Sequence, residues 1–235
     1  MASIETLKKG FVPIYNDGLR LYQFIGHVID FTKLNENSLI IDAGASIGKF
    51  TEELRKISET NQSKVLCIEP SHSNFNKLKN NINLGNIEII NKALMDNIKD
   101  KVIFTEFKGE LKDDDNFYYH EWGNIKNLYK NSETIIMNKI EYIDYEVYTI
   151  NLYNIIDKYG FIDYLKMDIE GSEYDVIDNI NNELANKIDQ ISIEIHEPLY
   201  KYPILIDKLK ELKFKVILFD DPAIVNKVSE IYAYK

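Results

Sequence analysis

The sequence predicts an α/β fold in which a largely parallel sheet carries helices on both faces. Short apolar runs rich in β-branched residues alternate with amphipathic stretches along most of the 235-residue chain. Five runs are expected to form buried strands: SLIIDAG, KVLCIEP, IEIINKAL, DYLKMDI and DQISIEIHE. Strands that are buried on both faces have such continuous apolar runs, and helical connections between consecutive strands make them parallel.

The stretches between these strands predict the helices. FTEELRKISE, SNFNKLKNNI and SEYDVIDNI each have an apolar face at helical spacing, and PILIDKLKELKF predicts a further helix. KVILFDD and EIYAYK then follow one another without a helix between them. A connection of that kind predicts an antiparallel pair that closes the sheet.

Two regions depart from this alternation. Apolar residues in Leu19–Leu34 recur at helical spacing, so we expect an N-terminal helical cap over residues 1–36 and a main domain over 37–235. VIFTEF and KIEYIDYEVYTI have the composition of strands and enclose a polar, aromatic stretch, which indicates an insertion over the sheet at about 101–150. That stretch is too short and too polar to build a core of its own.

The composition narrows the class of function. The chain has 28 basic and 38 acidic residues, a formal charge of −10, which disfavours a long nucleic-acid track. The single cysteine, Cys67, lies in an apolar run, so we expect a buried thiol, no disulfide within the chain and a reducing compartment. No apolar stretch is long enough to cross a membrane and no signal core precedes the domain, so a soluble cytoplasmic protein is expected.

The segment LIIDAGASIGKFTEEL contains a glycine loop between a predicted strand and a predicted helix. Gly44 and Gly48 lack side chains where the backbone turns, so a ligand could approach it closely. Asp42 precedes the first glycine, where its charge would repel a pyrophosphate but suit the ammonium and sulfonium of S-adenosylmethionine. The alternative is that Asp42 only caps the turn.

A second carboxylate ends the next predicted strand. Glu69 could accept hydrogen bonds from both hydroxyls of a ribose. Pro70 and Ser71 follow it, and Ser71 is a candidate N-cap of the next helix. The alternative for Glu69 is a solvated acid at a strand end, but its combination with Asp42 favours adenosine binding.

A third group of polar residues lies in YLKMDIEGSEYDVI. Lys166, Asp168 and Glu170 occupy alternate positions and would project to one side if the strand continued. The carboxylates of Asp168, Glu170 and Glu173 would need a nearby cation or a bound hydroxyl, because burying unpaired carboxylates is costly. Alternatively, Glu170 and Glu173 lie in the first turn of a helix, where the dipole favours acids.

The strand ISIEIHE ends in Glu194 and His196, which also alternate. His196 could take a proton from an acceptor hydroxyl, because its unperturbed pKa is close to ~6.5. A structural histidine with a satisfied partner is the alternative. Asp168, Glu194 and His196 could in principle hold a metal ion, but the sequence lacks close ligand spacing and we predict no metal site.

Taken in order, LIIDAGASIGKFT, VLCIEP, NKAL, YLKMDIEGSE and ISIEIHE resemble the FkbM family of S-adenosylmethionine-dependent methyltransferases. The distinctive part is K-x-D-x-E-G-x-E, which spans Lys166 to Glu173. The resemblance implies a Rossmann-like class I methyltransferase fold, with a seven-stranded, mostly parallel sheet whose last strand is antiparallel. It also implies S-adenosylmethionine as cofactor and a hydroxyl of a sugar or another small molecule as acceptor.

The resemblance assigns roles to residues of this sequence. The glycine loop would hold the methionine moiety, Glu69 the ribose and Asn91 to Ala93 the adenine, while Asp168 and its neighbours would face the reacting methyl. The expected cofactor-binding residues are Asp42, Gly44, Ala45, Ser46, Gly48, Glu69, Pro70, Ser71, Asn91, Lys92, Ala93 and Asp168. The expected catalytic residues are Asp168, His196, Glu170 and Lys166, with Asp168 or His196 as the base.

Two positions depart from the family pattern. The loop position that is commonly Asn is Ser46 here, which alters one expected contact to the carboxylate of the cofactor. The acid of a T-L-D pattern is replaced by Asn151 in TINL, so the role of that acid does not carry over to this sequence.

Other sequence features bear on functions other than O-methylation. None of the 16 tyrosines has a lysine four residues later, which disfavours a short-chain dehydrogenase. A nucleic-acid or protein methyltransferase and a binding module without activity remain alternatives, although the acidic balance and the absent N/D-P-P-Y/F motif count against nucleic acid. The aromatic residues of the insertion could pack on a sugar ring or only stabilise their own loop; they are Tyr118, Tyr119, His120 and Trp122.

Overall fold

The computed structural model describes residues 10–16, 18–57, 60, 62–82, 85–95, 99–108, 123–124, 141–196, 202–219 and 229–235. The strands up to the insertion are β1 (Val12–Asn16), β2 (Leu19–Phe24), β3 (His27–Ile29), β4 (Leu39–Ala43), β5 (Lys64–Ile68), β6 (Ile87–Ile90) and β7 (Ala93–Leu94). The later strands are β8 (Lys101–Lys108), β9 (Gly123–Asn124), β10 (Glu141–Ile150), β11 (Ile162–Met167), β12 (Ile188–Ile195), β13 (Lys215–Phe219) and β14 (Ser229–Tyr234). The helices are α1 (Lys49–Leu54), α2 (His72–Asn81), α3 (Leu152–Tyr159), α4 (Glu173–Asp178), α5 (Asn182–Ala185) and α6 (Tyr202–Glu211).

Seven strands form the central sheet in the order β13-β14-β12-β11-β4-β5-β6. Strands β12, β11, β4, β5 and β6 are parallel to one another, and β14 is antiparallel to both β12 and β13. The predicted seven-stranded sheet with an antiparallel last strand is therefore confirmed. The carboxyl ends of β4, β5, β11 and β12 meet at one edge, where parallel α/β sheets usually bind ligands.

Helices cover both faces of this sheet, as predicted. One buried cluster joins α3, α4 and α6 to residues such as Ile41 and Ile193. A second cluster on the other face joins α1 and α2 to Ile40, Val65 and Cys67. Cys67 is fully buried and unpaired, as expected for a thiol in an apolar strand.

The helix predicted over Leu19–Leu34 is wrong. Residues 19–29 form the hairpin β2–β3, which pairs with β1 in a separate three-stranded sheet, and only Phe31–Lys33 are helical, as one short 3-10 turn. Ile25 and Gly26 form its two-residue turn, and both have positive φ (49° and 81°), as turns of this length require. Leu21 faces one buried cluster and Tyr22 another, so successive residues are both apolar. In the sequence, consecutive apolar residues of this kind have the same spacing as the apolar face of a helix.

Backbone groups of β3 bind polar side chains on the face of the central sheet. The amide of Val28 donates to Ser192 Oγ (2.9 Å), and the hydroxyl of Tyr164 donates to the carbonyl of Val28 (3.1 Å). The amide of Asp30 donates to Gln190 Oε1 (3.0 Å). These bonds account for the buried polar residues of β12 and fix β3 over the sheet.

The strands expected around the insertion are confirmed, because β8 and β10 pair along their length. They belong to a second sheet in the order β7-β10-β8-β9, in which β7 is parallel to β10. The aromatic residues expected near an acceptor lie outside the described residues; they are Tyr118, Tyr119, His120 and Trp122. The domain division and the placement of the insertion over the sheet stay predictions.

Among the helices in the described part of the chain, none is both long enough and apolar enough to cross a membrane.

Candidate active site

The glycine loop runs from the end of β4 to α1. Gly44 has φ +72°, and a Cβ there would lie 1.7 Å from the carbonyl oxygen of Asp168, so no side chain fits. Gly48 has φ +95° and would place a Cβ 2.7 Å from Leu78 and Ile82 of the α2 region. Gly44 is thus required by a backbone contact, and the left-handed φ of Gly48 favours glycine at that position. The loop crosses the end of β5, where the amides of Gly44 and Ala45 donate to the carbonyl of Ile68 (2.9 and 3.1 Å).

Asp42 is fully buried at the end of β4 and has partners within the protein. Thr51 Oγ1 donates to its Oδ2 (2.6 Å), and Lys166 Nζ lies 3.2 Å from its Oδ1. The sequence predicted that Asp42 would face a positively charged ligand. In the structure, Lys166 supplies the positive charge opposite Asp42. Asp42 is thus enclosed by the protein, where it contacts Lys166 and Thr51 of the helix α1.

Lys166 was an expected catalytic residue, but it is only 3% exposed. Its Nζ donates to the carbonyl of Gly44 (2.8 Å) and lies 3.5 Å from Asp168 Oδ2. Burial opposes its charge, but the carboxylates of Asp42 and Asp168 outweigh burial and raise the pKa of Lys166 above its usual range. Lys166 therefore stays charged and positions the loop and Asp168.

Glu69 lies at the end of β5 and joins two loops. Its Oε2 accepts from the amide of Ser46 (2.8 Å), and its Oε1 accepts from the amide of Ser71 (2.8 Å). Burial raises the pKa of Glu69 to about 7, although both amides favour the charged form. Each carboxylate oxygen can accept a second hydrogen bond. The site thus has two acceptor positions of the kind that vicinal ribose hydroxyls require.

The residues beside Glu69 complete this part of the site. Ser71 is the N-cap of α2, as predicted, because its Oγ accepts from the amide of Asn74 (3.1 Å). Asn91 follows β6 and donates from Nδ2 to the carbonyls of Glu69 (2.8 Å) and Pro70 (3.0 Å). The expected adenine segment, Asn91 to Ala93, is therefore held against the turn that carries Glu69.

Ser46 differs from the Asn that is common at this position in the family. Its φ of +48° is left-handed, a conformation that Asn adopts more readily than other non-glycine residues. Its Oγ is buried and has no hydrogen-bond partner among the described residues. A buried hydroxyl without a partner is rare, and this one can still donate and accept hydrogen bonds.

Acids and histidines gather at the carboxyl ends of β11 and β12. We define the carboxylate cluster by its members: His27, Asp168, Glu170, Glu173, Glu194, His196 and Glu230. The sheet explains part of it, because Glu194 of β12 pairs in register with Glu230 of β14. Of the expected site residues, the structure brings Asp168, Glu170 and His196 together here.

Glu173 orients His196 in this cluster. Its Oε1 lies 3.1 Å from His196 Nδ1, and the same carboxylate accepts from the amides of Ile169 (3.0 Å) and Gly171 (2.9 Å). His196 Nε2 faces three other acids, with Glu170 Oε2 at 3.5 Å and Asp168 Oδ1 at 3.7 Å. Burial lowers the pKa of His196, but these carboxylates outweigh it and hold that pKa well above the usual value. Glu173 is the first residue of α4, but it is fully buried rather than a solvated helix-end acid.

The acids of the cluster differ in proton affinity. Burial raises the pKa of Glu170 and of Glu194 to about 7. Burial acts in the same direction on Asp168, but Lys166 and His27 outweigh it and hold that pKa below its usual range. Asp168 is therefore a fixed negative charge between two histidines. Its Oδ1 faces His196 and its Oδ2 faces His27.

The sequence analysis missed His27 and Glu230. His27 is 1% exposed, and its Nε2 lies 3.7 Å from both Asp168 Oδ2 and Glu194 Oε2. Its Nδ1 lies 3.5 Å from Glu230 Oε2. Burial lowers its pKa, but the acids, chiefly Glu230, raise it to about 9. The one signal in the sequence was the Ile25–Gly26 pair, which permits a two-residue hairpin just before His27.

The second departure from the family pattern has a structural explanation. Asn151 is the N-cap of α3 and accepts from the amide of Asn154 (2.8 Å), while Asn154 Oδ1 accepts from the amide of Asn151 (3.4 Å). Asn and Asp are about equally good N-caps. The substitution therefore preserves the start of the helix and lies outside the carboxylate cluster.

Comparison with known proteins places these features in a family. A family model described as the methyltransferase FkbM domain matches residues 42–216. Among curated proteins, "Methyltransferase 1" of Beauveria bassiana (strain ARSEF 2860) is 23% identical, over 73% of this chain and 70% of its own length. "Methyltransferase sdnD" of Sordaria araneosa is 24% identical, over 74% of this chain and 73% of its own length.

Solved structures show the same fold. Methyltransferase FkbM from Methylobacillus flagellatus KT matches with a TM-score of 0.52 at 17% identity, over 87% of this chain. The match covers 48% of that protein, so the present chain spans about half its length. The match at this identity shows a shared architecture, the class I methyltransferase fold.

Proposed function

The chain belongs to the FkbM family of methyltransferases, and on that premise we propose that it transfers a methyl group from S-adenosylmethionine to a hydroxyl of a small acceptor, such as a sugar. One structural observation carries the proposal. Asp168 joins the two halves of the site, because its carbonyl abuts Gly44 of the glycine loop while its carboxylate belongs to the carboxylate cluster.

The residues at the ends of β4, β5 and β6 fit the cofactor. Glu69 keeps one acceptor position on each oxygen for the ribose hydroxyls. The unpartnered Oγ of Ser46 lies in the loop expected to hold the methionine moiety, and it can donate to a carboxylate. Asn91 holds the turn beside the expected adenine position. S-adenosylmethionine, when bound, supplies a methyl group activated by its positively charged sulfur.

The carboxylate cluster supports an oxygen acceptor. A hydroxyl must lose its proton as it is methylated, so a nearby base is required. Of the two bases expected from the sequence, Asp168 is engaged with Lys166 and both histidines, and His196 is already surrounded by acids. Glu170 is a third expected catalytic residue; its side chain is partly exposed, and burial raises its pKa to about 7, close to the pH at which a general base works best. We assign proton acceptance to Glu170.

The backbone at Glu170 supports this assignment. Glu170 has φ +54°, an unfavourable conformation for a residue with a long side chain. Gly171 follows with φ +99°, and the fully buried Glu173 accepts from its amide. Strained conformations of this kind persist where the surrounding structure enforces them, often at active sites. The turn thus presents the Glu170 carboxylate beside Asp168 and His196.

The charge of the site supports a neutral acceptor. Carboxylates accept hydrogen bonds from sugar hydroxyls, but they repel phosphates. The formal charge of −10 of the whole chain also repels phosphates, and it does so over longer distances. These features favour a sugar or polyol over a nucleic acid. The buried, unpaired thiol of Cys67 is compatible with the cytoplasmic location that we propose.

The test is transfer of an isotopically labelled methyl group to a panel of neutral sugars and other hydroxyl compounds, with the products identified by mass spectrometry and NMR. An O-methyl ether is the expected product. Label found only on nitrogen, in protein or in nucleic acid would reject the assignment. Cofactor binding without transfer to any acceptor would favour a binding module.

A further inference from the structure

The hairpin β2–β3 brings a histidine into the carboxylate cluster from outside the segment that the family model matches. That segment begins at residue 42, whereas His27 lies at the start of β3. The nearest donor atoms of His27, Asp168 and Glu194 all lie within 4.8 Å of one another. The three residues come from three different elements and converge on one point.

The two distances from His27 are slightly longer than those between donor atoms around one metal ion. His27 Nε2 lies 3.7 Å from Asp168 Oδ2 and 3.7 Å from Glu194 Oε2. Hydrogen bonds from nitrogen to oxygen are shorter, about 2.7 to 3.2 Å. Donor atoms bound at about 2.1 Å to one ion lie roughly 3.0 to 3.5 Å apart in octahedral or tetrahedral geometry. The observed spacing is close to that range.

His27 is a buried donor that points into this space. It is 99% buried, and its Nε2 lies 3.7 Å from a carboxylate oxygen of Asp168 and from one of Glu194, which is longer than a normal hydrogen bond. Its Nδ1 lies 3.5 Å from Oε2 of the buried Glu230, and neither atom has a hydrogen-bond partner in the described chain. A metal-binding histidine usually has a carboxylate or carbonyl on its second nitrogen, which fixes the ring. Glu230 holds that position for His27.

The charge around the site also favours a cation. Six carboxylates of the described chain lie at this edge of the sheet: Asp42, Asp168, Glu170, Glu173, Glu194 and Glu230. Within 4 Å of them, the described residues provide Lys166, His27 and His196. If all six acids were ionised, six negative charges would face three positive ones even with both histidines protonated. Such an excess is costly in a partly buried site and is relieved when the acids bind protons or a further cation.

We propose that His27, Asp168 and Glu194 bind one divalent first-row metal ion, such as Mn²⁺ or Zn²⁺. One imidazole and two carboxylates suit these ions better than Mg²⁺ or Ca²⁺, which prefer oxygen ligands alone. The ion would also bind the oxygen of the acceptor hydroxyl, and the hydroxyl proton would pass to Glu170. This role rests on the proposed O-methylation, whereas the binding of the ion does not.

The test measures metal binding without cofactor or acceptor. Chelator-treated protein is titrated with Mn²⁺ and, separately, with Zn²⁺ by calorimetry, and bound metal is counted after gel filtration. One ion per chain is expected for the wild type. His27→Ala and the isosteric Glu194→Gln should each weaken binding at least tenfold. His72→Ala and Glu183→Gln make the same changes at exposed positions and should bind like the wild type.

Three results would overturn the proposal. The first is a wild type that binds no more than a trace of either ion. The second is unchanged affinity in both His27→Ala and Glu194→Gln, with folding checked by circular dichroism. The third is binding that depends on His196 and not on His27, since Asp168, Glu170 and His196 form a second possible ligand set. Methyl transfer that persists in metal-free protein would leave the proposed function standing, so the two failures are distinguishable.

Discussion

Glu69 accepts a hydrogen bond from the backbone amide of Ser46 over 2.8 Å, although 23 residues separate the two in sequence. The bond joins the loop after β4 to the end of β5. The other oxygen of the same carboxylate accepts from Ser71 at the start of α2. One side chain thus fixes the two loops that are proposed to bind the cofactor.

Replacing this carboxylate should weaken cofactor binding. Glu69→Ala removes two possible hydrogen bonds to the ribose and loosens both loops, so we expect a loss of about 2 kcal/mol, a roughly thirtyfold rise in Kd for S-adenosylmethionine. Isothermal titration calorimetry measures it directly. Glu183→Ala removes an exposed glutamate and should bind normally. Wild-type affinity in Glu69→Ala would refute the ribose assignment.

Cofactor affinity should depend on pH near neutrality. Burial raises the pKa of Glu69 to about 7, so the side chain is a neutral acid below that pH and a carboxylate above it. Only the carboxylate can accept from two amides and two ribose hydroxyls at once. Affinity should therefore be highest above about pH 7 and should fall as the pH drops to about 6.

The variant Glu69→Gln separates this effect from other titrating groups. Glutamine has the same shape but no ionisable group, so the step in affinity attributed to Glu69 should disappear. Titrations of wild type and variant across the same pH range provide the comparison. A step of equal size in both proteins would assign the dependence to another residue.

Glu170→Gln should lower turnover without changing cofactor binding. A general base typically contributes a factor of about 100 to 10,000, so a decrease in kcat of at least about 100-fold is expected. The Kd for S-adenosylmethionine should stay near the wild-type value, because Glu170 lies on the acceptor side of the site. Glu183→Gln is the matched control on an exposed surface. Unchanged kcat in Glu170→Gln would exclude it as the base.

Gly44→Ala should destabilise the fold more than an ordinary substitution at positive φ. The new Cβ would lie 1.7 Å from the carbonyl oxygen of Asp168, a contact that requires backbone movement. Gly18→Ala is a matched control, because Gly18 has φ +84° and no atom within 4 Å of the added Cβ. We expect about 1 kcal/mol for Gly18→Ala from conformation alone and about 3 kcal/mol or more for Gly44→Ala.

Chemical denaturation monitored by circular dichroism measures both free energies of unfolding. The difference between the two variants isolates the contact with Asp168 from the cost of the backbone conformation. Equal losses in the two variants would show that β4 and β11 can separate freely at this edge.

The central sheet could be predicted because strands that are buried on both faces have continuous apolar runs in the sequence. Runs such as VLCIEP have no polar face, and turns or helix caps such as Ser71 bound them. The expected site residues at the strand ends followed from the same pattern. Glu69, Asp168 and His196 lie within one or two residues of a strand end, so the topology alone brings them to one edge.

The rest depended on packing that the sequence does not reveal. The hairpin β2–β3 is buried on both sides, so its apolar residues imitated a helix. His27 enters the site only because the backbone of β3 binds Ser192 and Tyr164. Glu230 enters through the register of an antiparallel strand. The pairing of Asp42 with Lys166 likewise depends on the neighbouring positions of β4 and β11.

The most direct test of the account is a crystal structure of the protein with S-adenosylmethionine bound. We expect the ribose hydroxyls within hydrogen-bond distance of Glu69 and the methyl group facing the side of the site occupied by Asp168 and Glu170. Cofactor bound elsewhere, or no binding at saturating concentration in solution, would contradict the central claim that this edge of the sheet is a methyl-transfer site.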